Sequence, residues 1–99
     1  MEQIYRAVSG STTVQPGAGL LVDTSSGPVT ITLPASPATG SFVSFIDAKY
    51  TFDTNALTVG RNSSNIANSA ADLVVNTEGA GFTLVYSGDA TVGWTYRDK

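Results

Sequence analysis

The chain contains neither cysteine nor histidine in its 99 residues. Without cysteine, disulfides and thiolate metal sites are excluded. Without histidine, the chain lacks the usual general base, the commonest metal ligand and the side chain that switches charge near neutral pH. Charge is also scarce: Lys+Arg total 5, Asp+Glu total 8, and charged residues make up 13% of the chain. The positive charges are scattered, and a net charge of -3 offers no field for a polyanion, which argues against nucleic-acid binding. No apolar run approaches the roughly 20 residues that cross a bilayer as a helix, so no membrane partner is expected. The start, Met1-Glu2-Gln3-Ile4-Tyr5-Arg6, has no apolar segment of signal-peptide type, and synthesis in a cytoplasm is expected.

What the chain has instead is Ser, Thr, Asn and Gly between short apolar runs. Val29-Thr30-Ile31-Thr32-Leu33 alternates strictly, which marks a half-buried strand. Phe42 to Ala48 is apolar at both parities and reads as a central strand. Leu20-Leu21-Val22, Leu57-Thr58-Val59, Leu73-Val74-Val75, Phe82-Thr83-Leu84-Val85-Tyr86 and Val92-Gly93-Trp94-Thr95-Tyr96 continue the pattern. Turn signals separate them, of which Pro16-Gly17 is the strongest. Ala67 to Ala71 is the one place for a helical turn, with Ser69 as its cap. No internal repeat stands out. The reading is an all-β chain with one antiparallel sandwich or barrel-like domain of about eight short strands. Residues 1–10 form a first strand or an arm set off by Ser9-Gly10-Ser11, and residues 11–99 form the sandwich. The expected core is Ile31, Leu33, Phe45, Ile46, Leu57, Leu84 and Trp94.

Groups capable of chemistry are few. Asp47, Asp53, Asp72 and Asp89 sit at turns or strand ends, where aspartate serves capping. Asp47 is either a surface strand end or a buried partner of Arg61. Asp53-Thr54-Asn55 lacks the alternating ligands and distal glutamate of a calcium loop. Serines and threonines have no histidine to activate them. No catalytic residue, metal site or cofactor is therefore expected, and the chain is not read as an enzyme. Tyr5, Tyr86, Trp94 and Tyr96 could stack on sugar rings, with core packing as the simpler role. Asn62-Ser63-Ser64 fits the glycosylation pattern, a short match that chance supplies often.

The order of features then carries a resemblance. It runs from Val22-Asp23-Thr24-Ser25 through Val29-Thr30-Ile31-Thr32-Leu33-Pro34, Pro37 and Gly40 to Asp47, Phe52 and Asn55. Leu57-Thr58-Val59, Arg61-Asn62, Ile66, Asp72-Leu73, Leu84-Val85-Tyr86 and Gly93-Trp94 follow. This order resembles a β module of tailed-bacteriophage virion proteins, found in tail fibres, head and neck fibres and capsid decoration proteins. It covers residues 20–97 and consists of turn and core residues, so it implies a module and no catalytic site. It also implies an internal ion pair of Arg61 with Asp72.

A module standing free after Met1 is similar to capsid decoration, or cement, proteins. The resemblance implies a homotrimer on the virion capsid surface that binds the major capsid protein and stabilises the shell. The alternative is a head or tail fibre module that binds a host surface glycan. The candidate partner-binding residues are those of the arm, Ile4, Tyr5, Arg6 and Val8, which would add a strand to a neighbour's sheet.

Overall fold

Among the described residues, nine strands form two sheets, and the first six alternate between them. The computed structural model describes residues 5–98. The strands are β1 (Arg6–Val8), β2 (Thr12–Thr13), β3 (Ala18–Val22), β4 (Val29–Thr32), β5 (Phe42–Asp47), β6 (Leu57–Gly60), β7 (Leu73–Val75), β8 (Gly81–Tyr86) and β9 (Trp94–Asp98). Among the described residues there is no helix. Sheet A has the order β1-β3-β5-β8-β9, and sheet B the order β2-β4-β6-β7. The sheets stack without closing into a barrel, and the molecule measures 35 × 34 × 23 Å.

The expectation of an antiparallel sandwich is corrected in one respect. The first six strands step from sheet A to sheet B and back, so β1, β3 and β5 run parallel, as do β2, β4 and β6. Together they form three stacked two-strand coils. Only β7, β8 and β9 pair antiparallel. Coil length varies: Arg6 lies beside Leu20 and Val29 beside Leu57. The coils are therefore a repeat in space without a fixed period in sequence.

The local reasons are clear. Gln15 O accepts the Ala18 N–H at 3.3 Å with Gly17 at φ 87. This is a type II turn, with proline at its first central position and glycine at its second. In β4, Val29 and Ile31 face inward while Thr30 and Thr32 face out. The core between the sheets holds Leu20, Val22, Ile31, Leu33, Phe45, Leu57, Val59, Leu84 and Trp94, with Phe52 returning from a loop and Val14 from the turn after β2. Each such side chain contributes about 1.5–3 kcal/mol by leaving water.

Two further expectations are corrected. Ile46 is 37% exposed. The strict alternation of β5 sends Val43, Phe45 and Asp47 inward, so Ile46 must point out. The segment at 67–71 is not a helical turn. Ile66 and Ser69 exchange both backbone bonds at 3.0 Å, and Ala67 and Asn68 take φ 51 and 68. That is a tight two-residue turn of the I′ kind.

Candidate functional site

The aspartates that sequence reasoning singled out do not act as a set. Asp47 is buried on the inward side of β5 and accepts N–H groups from Thr51 and Phe52 at 3.1 Å and from Gly79 at 3.0 Å. Its partner is thus backbone and not Arg61, whose guanidinium donates to Ser64 O and Asn65 Oδ1. The ion pair implied for Arg61 and Asp72 is replaced by a bond to backbone: Asp72 Oδ1 accepts the Arg61 N–H at 2.9 Å, while the guanidinium turns to Ser64 and Asn65. Asp89 Oδ1 accepts from Thr91 N at 2.8 Å and closes its own loop. Asp23 accepts the Ser25 hydroxyl at 2.6 Å and the Ser25 N–H at 2.9 Å. These two bonds hold its carboxyl below the usual aspartate range.

The aromatic residues do not share a surface either. Trp94 is wholly buried and meets Tyr86 edge-on, with ring centroids 5.6 Å apart. Tyr96 packs edge-on against Phe82, which stacks on Phe45. Burial pushes the Tyr96 hydroxyl up from its ordinary value. Asn62 donates its side-chain amide to Leu33 O at 2.9 Å, so this asparagine is engaged in the loop that follows β6.

The surface features that stand out are the two outward sheet faces. On sheet A, cross-strand partners form three rows: Ala7–Leu21–Ile46–Gly81, Gly19–Ser44–Thr83 and Phe42–Val85–Thr95. The first and third carry no charge, whereas the second continues from Thr83 to Asp98 on β9, next to the exposed Arg97. The Ser44 and Thr83 hydroxyls bond to each other at 2.8 Å with little exposure, so even the polar members offer few free groups. Tyr5 extends the face: a Cβ on Gly19 would lie 3.2 Å from three of its ring carbons. A side chain at position 19 would displace the ring. On sheet B the outward positions are Thr13, Thr30, Thr32, Thr58, Gly60 and Val74. These positions carry no charge and are dominated by threonine. Alternation in β4 and β6 foretold the threonines. The apolar outward face was hidden because β5 is apolar at both parities, and sequence reasoning assigned it wholly to the core.

The candidate arm residues lie at the first-coil side. Ile4 falls outside the described residues. Arg6 and Val8 belong to β1 and pair with Leu20 and Val22 of the chain's own β3, and Tyr5 covers Gly19. Residues 6–8 thus belong to the same sheet as β3, β5, β8 and β9. Between β1 and β2 the coil stack opens into a concavity of about 730 Å³, whose lining includes Arg6, Val8, Val14 and Ala18.

No protein-family model matches the chain, and no curated protein matches it significantly.

Proposed function

We propose that the chain is a non-catalytic structural protein of a tailed-phage particle. In this reading it decorates the capsid shell, stabilises it, and binds the major capsid protein and further copies of itself. The observation that carries the proposal is the outward face of sheet A, a largely apolar surface without charge over its rows on β1, β3, β5 and β8, with charged residues only toward the end of β9. Such a surface suits close packing against other protein and gives no handle for steering a charged small molecule. The order of turn and core residues over 20–97, which resembles virion β modules, supplies the context.

Particles assembled with and without the protein test the reading. Electron microscopy should show copies spread over the whole shell, in a number that scales with its subunits. Coated particles should keep their genome to a higher temperature than bare ones. Ile46→Lys places a charge on the exposed apolar row and should abolish coating while leaving the fold intact. Copies confined to a tail or a neck, together with blocked adsorption to host cells by the purified chain, would replace shell decoration with the glycan-binding fibre role.

A further inference from the structure

The sandwich is incomplete on the side of β7. The coils stack β1 on β2, β3 on β4 and β5 on β6, which leaves β7 alone opposite β8 and β9. Sheet B therefore stops one strand short of sheet A. The space beside β7 is a groove of about 310 Å³, with Phe82 and Tyr96 of sheet A as its floor and Leu73, Val75 and Ala80 as its wall. All five side chains pack against the core and stay only half-buried.

The backbone of β7 decides what fits there. Val29 N donates to Ala56 O and Leu33 N to Gly60 O. The even-numbered residues of β6 thus turn their backbone groups toward β4. Those of Leu57 and Val59 turn the other way and bond to Val75 and Leu73, their antiparallel partners. The Arg61 N–H, next in the same odd-numbered series, also points to the β7 side, where Asp72 Oδ1 accepts it. Alternation then aims the N–H and C=O of Val74 out of the sheet. Among the described residues no strand pairs with that edge.

We propose that the edge of β7 binds an extended segment of a partner protein, which adds to sheet B as its fifth strand. A donor and an acceptor set side by side on a strand edge match another extended backbone. In the antiparallel sense a single residue of the segment exchanges both bonds with Val74. Its two neighbours then lie opposite Leu73 and Val75 and turn inward onto Phe82 and Tyr96. The segment is therefore apolar at alternate positions, with polar residues between them facing solvent beside the 58% exposed Val74. A second copy joining through its own β7 fits poorly, because its sheet A would enter the space that β9 overhangs. The inference goes beyond the proposed function, since capture of such a segment requires no shell.

The test uses the full purified chain and a capped Thr-Val-Thr-Val-Thr peptide with a lysine at each end for solubility. Amide hydrogen exchange should find Val74 unprotected in the free chain, between protected Leu73 and Val75, and slowed once peptide is added. N-methylation of the peptide's threonines removes the bonds to β7 and should weaken binding by about tenfold or more. N-methylation of its valines, whose N–H groups point away, should leave the affinity unchanged. Val74→Pro removes the outward N–H and no ladder bond. It should weaken binding by a similar factor while circular dichroism shows a folded chain. Should that variant unfold, the two methylated peptides decide alone. No binding at millimolar peptide, equal affinity of the methylated pair, or full affinity in a folded Val74→Pro chain would overturn the proposal. So would a doubled mass of the free chain that Val74→Pro abolishes, which would put a second copy on the edge.

Discussion

Asp47 ties three separate backbone segments to one carboxylate: the end of β5, the loop at 51–52 and the turn at Gly79. An alanine there leaves three N–H donors without their acceptor, in a site that is 1% exposed. Asp47→Ala is expected to cost about 3–5 kcal/mol, read as a lower urea midpoint, because each orphaned buried donor carries a desolvation cost of its own. Asp47→Asn, which retains one carbonyl oxygen, should lose less. A midpoint unmoved by either change would contradict this account. Trp94 makes a different case. Its indole Nε1 is buried with no acceptor among the described residues. Trp94→Ala should cost about 3–5 kcal/mol through the cavity it leaves. Trp94→Phe should cost far less, because an unsatisfied donor worth about 1–3 kcal/mol leaves with the indole. Equal losses in the two variants would show that the indole N–H is satisfied. Trp94 could be read from sequence as a core residue because it alternates within an apolar strand. The role of Asp47 could not, because its partners are backbone groups brought together only by the turns.

The turns decide the elements. Gly93 takes φ 72, and a Cβ there would collide with the carbonyl of Asn65. That close approach lets Trp94 N donate to Asn65 O at 2.8 Å. It seats Ile66 beside the start of β9. Gly93→Ala should therefore destabilise by roughly 3 kcal/mol or more, combining steric overlap with a left-handed backbone. Ala67 offers the opposite experiment. It occupies φ 51 with a Cβ present, a conformation costing about 1–2 kcal/mol in an L-residue. Ala67→Gly should leave stability equal or raise it by up to about 1 kcal/mol, and thermal melts of the two glycine-site variants should move in opposite directions. This I′ turn was illegible in sequence because its two central residues are Ala and Asn, without the glycine that usually announces it. β4 was fully legible, since Val29 to Leu33 alternates without interruption. Ile46 was misread for the reason that β5 is apolar at both parities, so periodicity alone could not say which side faces out.

At the scale of the whole molecule, the strands were legible and their directions were not. Alternation reports which face a residue takes, but it holds no information on which strand lies beside it. The parallel coils escaped notice because their lengths differ, and only register pairs such as Arg6 with Leu20 and Val29 with Leu57 reveal them. Parallel partners also make the contacts non-local. Refolding, followed by the fluorescence of the single tryptophan, is expected in the millisecond-to-second range typical of such topologies. Recovery of the full signal in microseconds would be inconsistent with the coil arrangement. Alkaline pH should weaken the fold as well. Tyr96 has a raised pKa in the folded chain, so its neutral form is favoured there. The associated stability is complete below the ordinary tyrosine pKa and is lost as pH rises through the folded value.

The first and last strands of the chain occupy opposite edges of sheet A. Because β8 is antiparallel to both β5 and β9, the strands β1, β3, β5 and β9 all run one way. The chain therefore enters the sheet at one end of the strand axis and leaves at the other, across its full width. Tension applied between the two ends pulls neighbouring strands lengthwise past each other, so the bonds within each ladder of sheet A share the load and none is peeled open bond by bond. Stretched in an optical trap from those ends, the domain should yield first at the β1–β3 ladder of three residue pairs and then, at higher force, at the five-pair ladder between β3 and β5. The same domain gripped at Arg6 and Val22, which lie at the start of β1 and the end of its neighbour β3, should lose only the first strand before the rest resists.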